Sequence, residues 1–280
     1  MSMHLETISC PVCCGTQSHF WASENGFTAV KCDGCGLVYV NPRPAPEEIS
    51  EANVTGVHRT SNGELIVTTR RKAGKIAYYR KIIRSMFERE LAERKSVRWL
   101  DVGAGYGELL EAVSNLFPNG STFSGIEPML HKVEVAQSYG LPVVAEPLEA
   151  MKGPYDAISL INVFSHIPDF IAFGHDIRAK VARSGVLFLE TGNGGDLVRR
   201  ADYPAPLYLP DHLVFAGVRQ MTKILKDLGF EVEKIQERRI DDIAWTIKAF
   251  LTAAQKGTLR LAMPYSSPFR TVFYKARRLS

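Results

Sequence analysis

One stretch restricts the fold of this chain more than any other feature. Arg98-Trp99-Leu100-Asp101-Val102 is a short apolar strand, and Gly103-Ala104-Gly105-Tyr106-Gly107 follows it directly; Leu109, Leu110, Val113, Leu116 and Phe117 then recur at helical spacing. A strand that turns through glycines into a helix opens a doubly wound α/β sheet, whose ligands lie at the carboxyl ends of the strands. The loop does not fit a dinucleotide site, which wants G-x-G-x-x-G: the third glycine comes one residue early and Glu108 stands where that pattern needs glycine. No Gly-Lys-Ser/Thr follows, so it is not a P-loop either. With 280 residues, 45% hydrophobic and 23% charged, the chain suffices for one such sheet and a small companion domain.

The companion is marked by cysteine. All five, Cys10, Cys13, Cys14, Cys32 and Cys35, fall in the first 35 residues. Cys10-Pro-Val-Cys13 and Cys32-Asp-Gly-Cys35 are two C-x2-C pairs with the spacing of a four-thiolate zinc site. Four thiolates saturate a tetrahedral ion, so the role is structural. Iron and disulfides are the alternatives to zinc. Gly36 after the second pair allows the positive φ such a turn needs; after the first pair Cys14 stands in that place, as a spare thiol or as a substitute for Cys13. The prolines of Asn41-Pro42-Arg43-Pro44-Ala45-Pro46 stop the strand before them and close this ribbon near residue 46.

The formal charge of +4 is too mild for a dedicated nucleic-acid binder. No run approaches the ~18–20 apolar residues of a membrane span, and MSMHLETISC has neither the basic nor the apolar region of a secretory leader. We therefore expect a cytoplasmic protein with no membrane partner, and in that compartment paired cysteines are metal ligands more often than disulfides. Between ribbon and sheet, residues 47–96 are expected to form a linker, with Glu51 to Gly63 a mobile connection. One helix is expected from Thr68 to about Lys95, with Ile76, Tyr79, Ile82, Ile83, Met86, Phe87 and Leu91 on its apolar face and Arg70, Arg71, Lys72, Lys75, Arg80, Lys81 and Arg84 on the other. Residues 97–280 then form the large domain. Its segment 196–215, rich in proline and tyrosine, reads as a lid or binding loop, and Asp241 to Leu261 as an amphipathic helix.

Taken with its strand, the glycine loop spells D-x-G-x-G-x-G from Asp101 to Gly107, and it resembles motif I of the class I S-adenosylmethionine-dependent methyltransferases. Other segments fit in order. Phe123–Glu127 is similar to the family's second strand, and Val143-Val144-Ala145-Glu146 to its third with the polar turn beside the adenine. Tyr155–Asn162 is similar to the fourth, and Val163–Asp169 to the segment after it, with Ser165 in place of the usual Glu. Ala179–Gly185 resembles a helix and turn, Val186–Glu190 the fifth strand, Leu228–Val232 the turn into the sixth, and Thr271–Tyr274 a seventh strand inserted antiparallel. The likeness is good over residues 97–239 and loose in the tail. The ribbon ending Cys35–Pro44, together with Asp211-His212-Leu213-Val214-Phe215, looks like a bacterial subgroup encoded with glycan or secondary-metabolite pathways.

The resemblance implies a seven-stranded Rossmann-like sheet preceded by a zinc ribbon, with S-adenosylmethionine as methyl donor. It places the donor's amino-acid part against Gly103, Ala104, Gly105, Tyr106 and Gly107, its ammonium on Asp101 and its ribose on Glu127, with Pro128, Glu146 and Asn162 completing the site. In-line methyl transfer needs donor and acceptor held close and aligned. A hydroxyl acceptor also needs a base, for which His166 and His212 are the candidates on the acceptor side. Cytosine C5 methylation, which uses a cysteine nucleophile, is excluded because the large domain has none. Exocyclic-amine methylation of nucleic acids is argued against because Asn162-Val163-Phe164 lacks the Asn/Asp-Pro-Pro-aromatic turn. We expect a small hydroxylated acceptor, a sugar or anionic nucleotide sugar, methylated on oxygen or carbon. Two alternatives remain: a ribosomal RNA base, met through ribbon and basic helix, and a donor-binding module without catalysis.

Overall fold

The computed structural model describes residues 3–61, 63–67, 69–239 and 267–279. The expected helix at Asp241 to Leu261 lies outside them. In chain order the ribbon supplies strands β1 (Leu5–Glu6), β2 (Ser18–Glu24), β3 (Phe27–Cys32), β4 (Val38–Val40) and β5 (Arg43–Pro44). Helix α1 (Pro46–Thr55), a hairpin of β6 (Val57–Thr60) and β7 (Gly63–Ile66), α2 (Ala73–Met86) and α3 (Glu88–Glu93) follow. The large domain alternates β8 (Arg98–Val102), α4 (Glu108–Ser114), β9 (Thr122–Ile126), α5 (Leu130–Ser138), β10 (Val143–Val144), β11 (Tyr155–Ile161), α6 (Phe170–Lys180) and β12 (Val181–Gly192). It ends with β13 (Val214–Phe215), α7 (Val218–Asp227), β14 (Phe230–Arg238) and β15 (Thr271–Arg278).

Seven strands form the central sheet in the order β10-β9-β8-β11-β12-β15-β14. The first five run parallel, while β15 lies antiparallel between β12 and β14. Neighbouring side chains on a strand point to opposite faces, and both faces here are covered. Leu100, Val102, Ile158, Leu160, Leu187 and Leu189 pack under α6 and α7; Trp99, Ala157, Val186, Phe188 and Phe273 pack under α2, α4 and α5. The strand order reverses between β8 and β11, and the crevice above that point is where a ligand of an open α/β sheet sits.

Three expectations between ribbon and sheet are corrected. Glu51 to Gly63 is no loose connection but the end of α1 and the β6–β7 hairpin, stopped at Gly56 with φ of 74°. The single helix from Thr68 to Lys95 starts at Ala73 and breaks at Phe87. The reason is packing: Phe87 is fully buried, with its ring 5.1 Å from Trp99 and 5.4 Å from Phe188, and its backbone leaves the helix at φ −116°. The basic face is partly spent within the fold, since Arg71 and Arg80 pair with Glu111 of α4 and Arg71 lies 3.8 Å over the Tyr139 ring. Further along, the turn expected at 181–185 is already strand, because Val181 is buried and pairs with Tyr155.

The ribbon is stitched to the large domain through segment 196–215. Val214 and Phe215 of β13 pair with Tyr39 and Val38, so the four-stranded sheet β13-β4-β3-β2 draws its edge strand from far along the chain. Lys31 Nζ donates to the carbonyls of Gly195 and Leu197 at 3.0 and 2.8 Å, and Glu24 accepts from the N–H groups of Leu207 and Tyr208 at 2.9 and 2.6 Å. Asn25 Nδ2 donates to Leu209 O at 2.7 Å. Leu197, Leu207, Leu209 and Leu213 are buried beneath. The segment is a strap held down by the ribbon. Among the described residues no helix is long and apolar enough to cross a membrane.

Candidate active site

The glycine loop sits where the sheet reverses. Gly103, Gly105 and Gly107 all take positive φ (71°, 55° and 78°), a region that excludes most side chains. A Cβ on Gly103 would strike Val163, and one on Gly107 would strike Leu141; one on Gly105 would meet nothing, so that stretch of backbone faces open space. Glu127, at the end of β9, holds the loop: its Oε2 accepts from Gly105 N at 2.9 Å and its Oε1 from Met129 N at 3.2 Å, with Lys132 Nζ 3.6 Å away. It is buried yet each oxygen has a lone pair left for a ligand. Tyr106 is buried, and its hydroxyl donates to Thr69 O. Pro128 and Glu146 are exposed at the strand ends beside this crevice.

Asp101 lies one strand over. It faces Ser159 of β11 in register, and Ser159 Oγ donates to its Oδ1 at 2.5 Å, while Trp99 Nε1 donates to Ser159 Oγ at 2.9 Å. Burial pushes the Asp101 carboxyl up to about 7, against the Ser159 hydroxyl and with help from the charges of Glu127 and Glu108. A cation placed here would restore its charge. Asn162, after β11, has φ of 57°, tolerated by Asn better than by most residues, and its N–H donates to Glu190 O at 3.1 Å.

The other wall of the crevice is made by histidines. His212 Nδ1 lies 2.9 Å from Leu207 O, and since a carbonyl only accepts, Nδ1 carries the proton and Nε2 is bare in the neutral ring. His166 lies beside it, ring centroids 4.8 Å apart. His166 Nδ1 donates to Asp211 Oδ1 at 3.0 Å, and His58 Nε2, from the β6–β7 hairpin, donates to the same oxygen at 3.1 Å. Burial opposes the Asp211 charge, but the hydrogen bonds from His166 and His58 outweigh it and hold the carboxyl well below the usual range. Burial likewise opposes the His166 charge, and Asp211 overcomes it, so the His166 pKa rises. For His212 burial acts together with the charge on His166 and lowers it to about 4, leaving it neutral at physiological pH.

His212, Asn162, Ser165, Glu190, Tyr203 and Phe269 line a cavity of about 250 Å³ at the carboxyl ends of β11 and β12. Phe215 and Phe269 complete an aromatic wall with Tyr203, whose ring centroid is 4.6 Å from Phe269 and 5.9 Å from Phe215. The structure thus gathers Asp101, the glycine loop and Glu127 around one end of the crevice and His166 and His212 around the other, with Asn162 lining the cavity beside His212.

A family model described as a methyltransferase domain matches residues 71–235, more than half of the chain. The chain belongs to this methyltransferase family. A solved structure from Galdieria sulphuraria, assigned as a sarcosine dimethylglycine methyltransferase, is similar at 13% identity with a TM-score of 0.56, covering 72% of this chain and 86% of that one. The magnesium protoporphyrin IX methyltransferase of Synechocystis PCC 6803 with bound S-adenosylmethionine is 15% identical over 76% of this chain and 86% of that one, with a TM-score of 0.47. The [4+2]-cyclase SpnF is 18% identical over 69% of this chain and 80% of that one, with a TM-score of 0.48. At such identities the first likeness shows the fold alone, and the other two add nothing to it. No curated protein matches the sequence significantly.

The methyltransferase is thus an enzyme that draws its methyl group from S-adenosylmethionine, and the crevice offers what that donor needs. Its thiol cluster fits a metal equally well. The Sγ atoms of Cys10, Cys13, Cys32 and Cys35 lie within 4.8 Å of one another, with Cys10–Cys35 and Cys13–Cys32 both at 3.5 Å. Four sulfurs at the usual ~2.3 Å from a tetrahedral zinc lie ~3.8 Å apart, so the donor set matches in type and spacing. A Cβ on Gly15 would come within 3.3 Å of Cys13 Sγ, which explains the absence of a side chain there. Cys14 is not in the cluster: exposed at φ 59°, it takes the turn position that Gly36 takes at 77° in the other knuckle.

Sequence reasoning missed three residues of the candidate site. His58 lay in a stretch read as a loose connection, and the period-two pattern of its short hairpin is too brief to stand out. Asp211 was noted only as part of a segment. Glu190 looked like the last residue of an apolar strand; its signal was a charged residue ending a strand whose every other neighbour is buried.

Proposed function

We propose that this methyltransferase moves the S-adenosylmethionine methyl group to a hydroxyl of a small metabolite in the cytoplasm, a sugar or nucleotide sugar, with His212 as general base. The observation that carries the reading is the bare, neutral Nε2 of a cavity-lining His212 whose other nitrogen is tied to Leu207 O. The donor supplies a methyl group on a sulfonium, whose own charge makes it electrophilic. Gly105 backbone approaches its amino-acid part, Asp101 faces its ammonium and recovers full charge in doing so, and Glu127 accepts from its ribose hydroxyls. Asn162 separates donor from acceptor, while Pro128 and Glu146 flank the adenine. As the acceptor oxygen attacks, its proton passes to His212 Nε2 and the ring becomes a cation, which the Asp211 carboxylate beside it stabilises. The same base would serve a carbon acceptor next to a carbonyl, whose proton is equally the one to be removed. Zinc on Cys10, Cys13, Cys32 and Cys35 would fix the ribbon, and through it the strap that carries His212.

An RNA acceptor is the weaker reading, because Arg71 and Arg80, on and just before the basic helix, are engaged with Glu111 and the cavity is small. The test is to supply labelled donor with nucleotide sugars, phenolic metabolites and ribosomal RNA. Label in a small hydroxylated compound, lost in His212→Ala, is expected; label only in RNA would reverse the order, and donor binding without any transfer would leave a binding module.

A further inference from the structure

Glu190 is the cavity group that catalysis by His212 does not use. It ends the buried core of β12 at 6% exposure, and its Oε2 has no hydrogen-bond partner among the described residues, the one buried carboxylate oxygen there of which that is true. A buried carboxylate oxygen without a partner is costly, and proteins keep such groups where a ligand completes them. What surrounds it narrows the ligand. Lys75 acts on it from α2 as the opposing charge, the Asn162 side chain favours its charged form, and Tyr78 and Tyr79 feel its charge from the same helix. The same cavity is lined by Thr191, Thr271 and His212, with Tyr203, Phe215 and Phe269 as an apolar wall. Small polar groups together with aromatic rings suit a compact ring that is polar at its edge and apolar on its face.

We propose that Glu190 is an acceptor-binding residue whose free Oε2 takes a hydrogen bond from a second hydroxyl of the acceptor, one the enzyme does not methylate. The acceptor is then a polyhydroxylated ring, a hexose unit of a nucleotide sugar rather than a simple alcohol or a mono-phenol. This rests on reading the cavity as the acceptor site. Burial pushes Glu190 up to about 7 against the pull of Lys75 and Asn162, so near neutrality the carboxyl both accepts and donates, as a hydroxyl does.

The experiment compares the wild type with Glu190→Leu and Glu190→Gln, using UDP- and TDP-hexoses and their deoxy analogues with labelled donor. Glu190→Leu is expected to raise the acceptor KM roughly 10- to 100-fold and Glu190→Gln less, with S-adenosylhomocysteine affinity by calorimetry unchanged. The deoxy analogue lacking the partner hydroxyl is expected to show one KM in wild type and Glu190→Leu. Because the buried Oε2 it removes had no partner, the Tm of unliganded Glu190→Leu should not fall. Loss of S-adenosylhomocysteine binding, a lowered Tm, the same KM change for every deoxy analogue, or no nucleotide sugar methylated at all would each overturn the inference. A phenolic product that still depends on His212 would sink it while leaving the proposed function standing; a sugar product indifferent to His212→Ala but sensitive to Glu190→Leu would do the reverse.

Discussion

Asp101, the glycines of 103–107 and Glu127 form the proposed donor half of the crevice from one strand, one turn and the next strand end. The cavity proposed for the acceptor is lined by Asn162 from the turn after β11, Glu190 from β12, His212 from the strap and Phe269 from the approach to β15, while His166 stands beside His212 and His58, from a hairpin before the sheet, reaches Asp211. The contrast is one of contact range. A donor site made of backbone and two carboxylates is specified locally, because φ angles and strand ends are local properties. An acceptor site made of side chains from five places would depend on how the strap and ribbon dock, so it could change without disturbing the donor half.

If the halves are independent, substitutions should separate cleanly. The largest effect is expected for His212→Ala, which should lower kcat roughly 10²–10⁴-fold while S-adenosylhomocysteine affinity holds; equal loss of both would merge the halves. Next, Glu127→Ala removes the anchor of Gly105 and the ribose acceptor, and calorimetry should show a loss of roughly 100-fold in donor-product affinity. Lys31→Met probes the docking itself. It leaves the Gly195 and Leu197 carbonyls without their partner, at a cost of about 1–3 kcal/mol in denaturant unfolding, and should raise the acceptor KM with donor affinity intact.

A pH series sharpens the comparison from the stability side. Asp101 and Glu190, one in each half, have folded pKa values of about 7, above those of the unfolded chain. Each therefore contributes stability that is fully present below about pH 4 and is lost as pH rises through about 7. The Tm of the unliganded enzyme should decline across that window, and Glu190→Gln should flatten the decline in part, leaving the share of Asp101; an unchanged slope would show the Glu190 carboxyl to be partnered. The smallest expected effect is in the ribbon. Cys14→Gly relieves a positive φ without touching the thiol cluster, and should add about 0.5–1 kcal/mol with bound metal unchanged, whereas Cys13→Ser should abolish metal uptake.

Much of the donor half was legible before folding. Asp101 and the glycines at 103, 105 and 107 announce a tight turn after a strand, and Glu127 stands at a strand end; the donor roles proposed for them come from the family resemblance. The antiparallel seventh strand at Thr271–Tyr274 was expected from the same resemblance, and it pairs antiparallel with β12. Phe87 misled because periodicity cannot tell a helix that continues from one that stops so a ring can enter the core. His58 and Glu190 were illegible for a related reason: nothing near them in the chain reports that Asp211 or the cavity lies across from them.

By itself the sequence determined a strand-glycine-helix unit opening an α/β sheet and the spacing of a four-thiolate cluster, since each rests on backbone conformation, spacing or periodicity within a few dozen residues; the seven strands and the donor's place came through the family resemblance. Only the tertiary structure decided that the ribbon and the strap share a sheet, that Asp211 is held by two histidines far apart in the chain, and that His212 and Glu190, with its unpartnered Oε2, line the same cavity. Those are consequences of burial and electrostatics between distant segments. They arise when the chain closes on itself, and no window of sequence contains them.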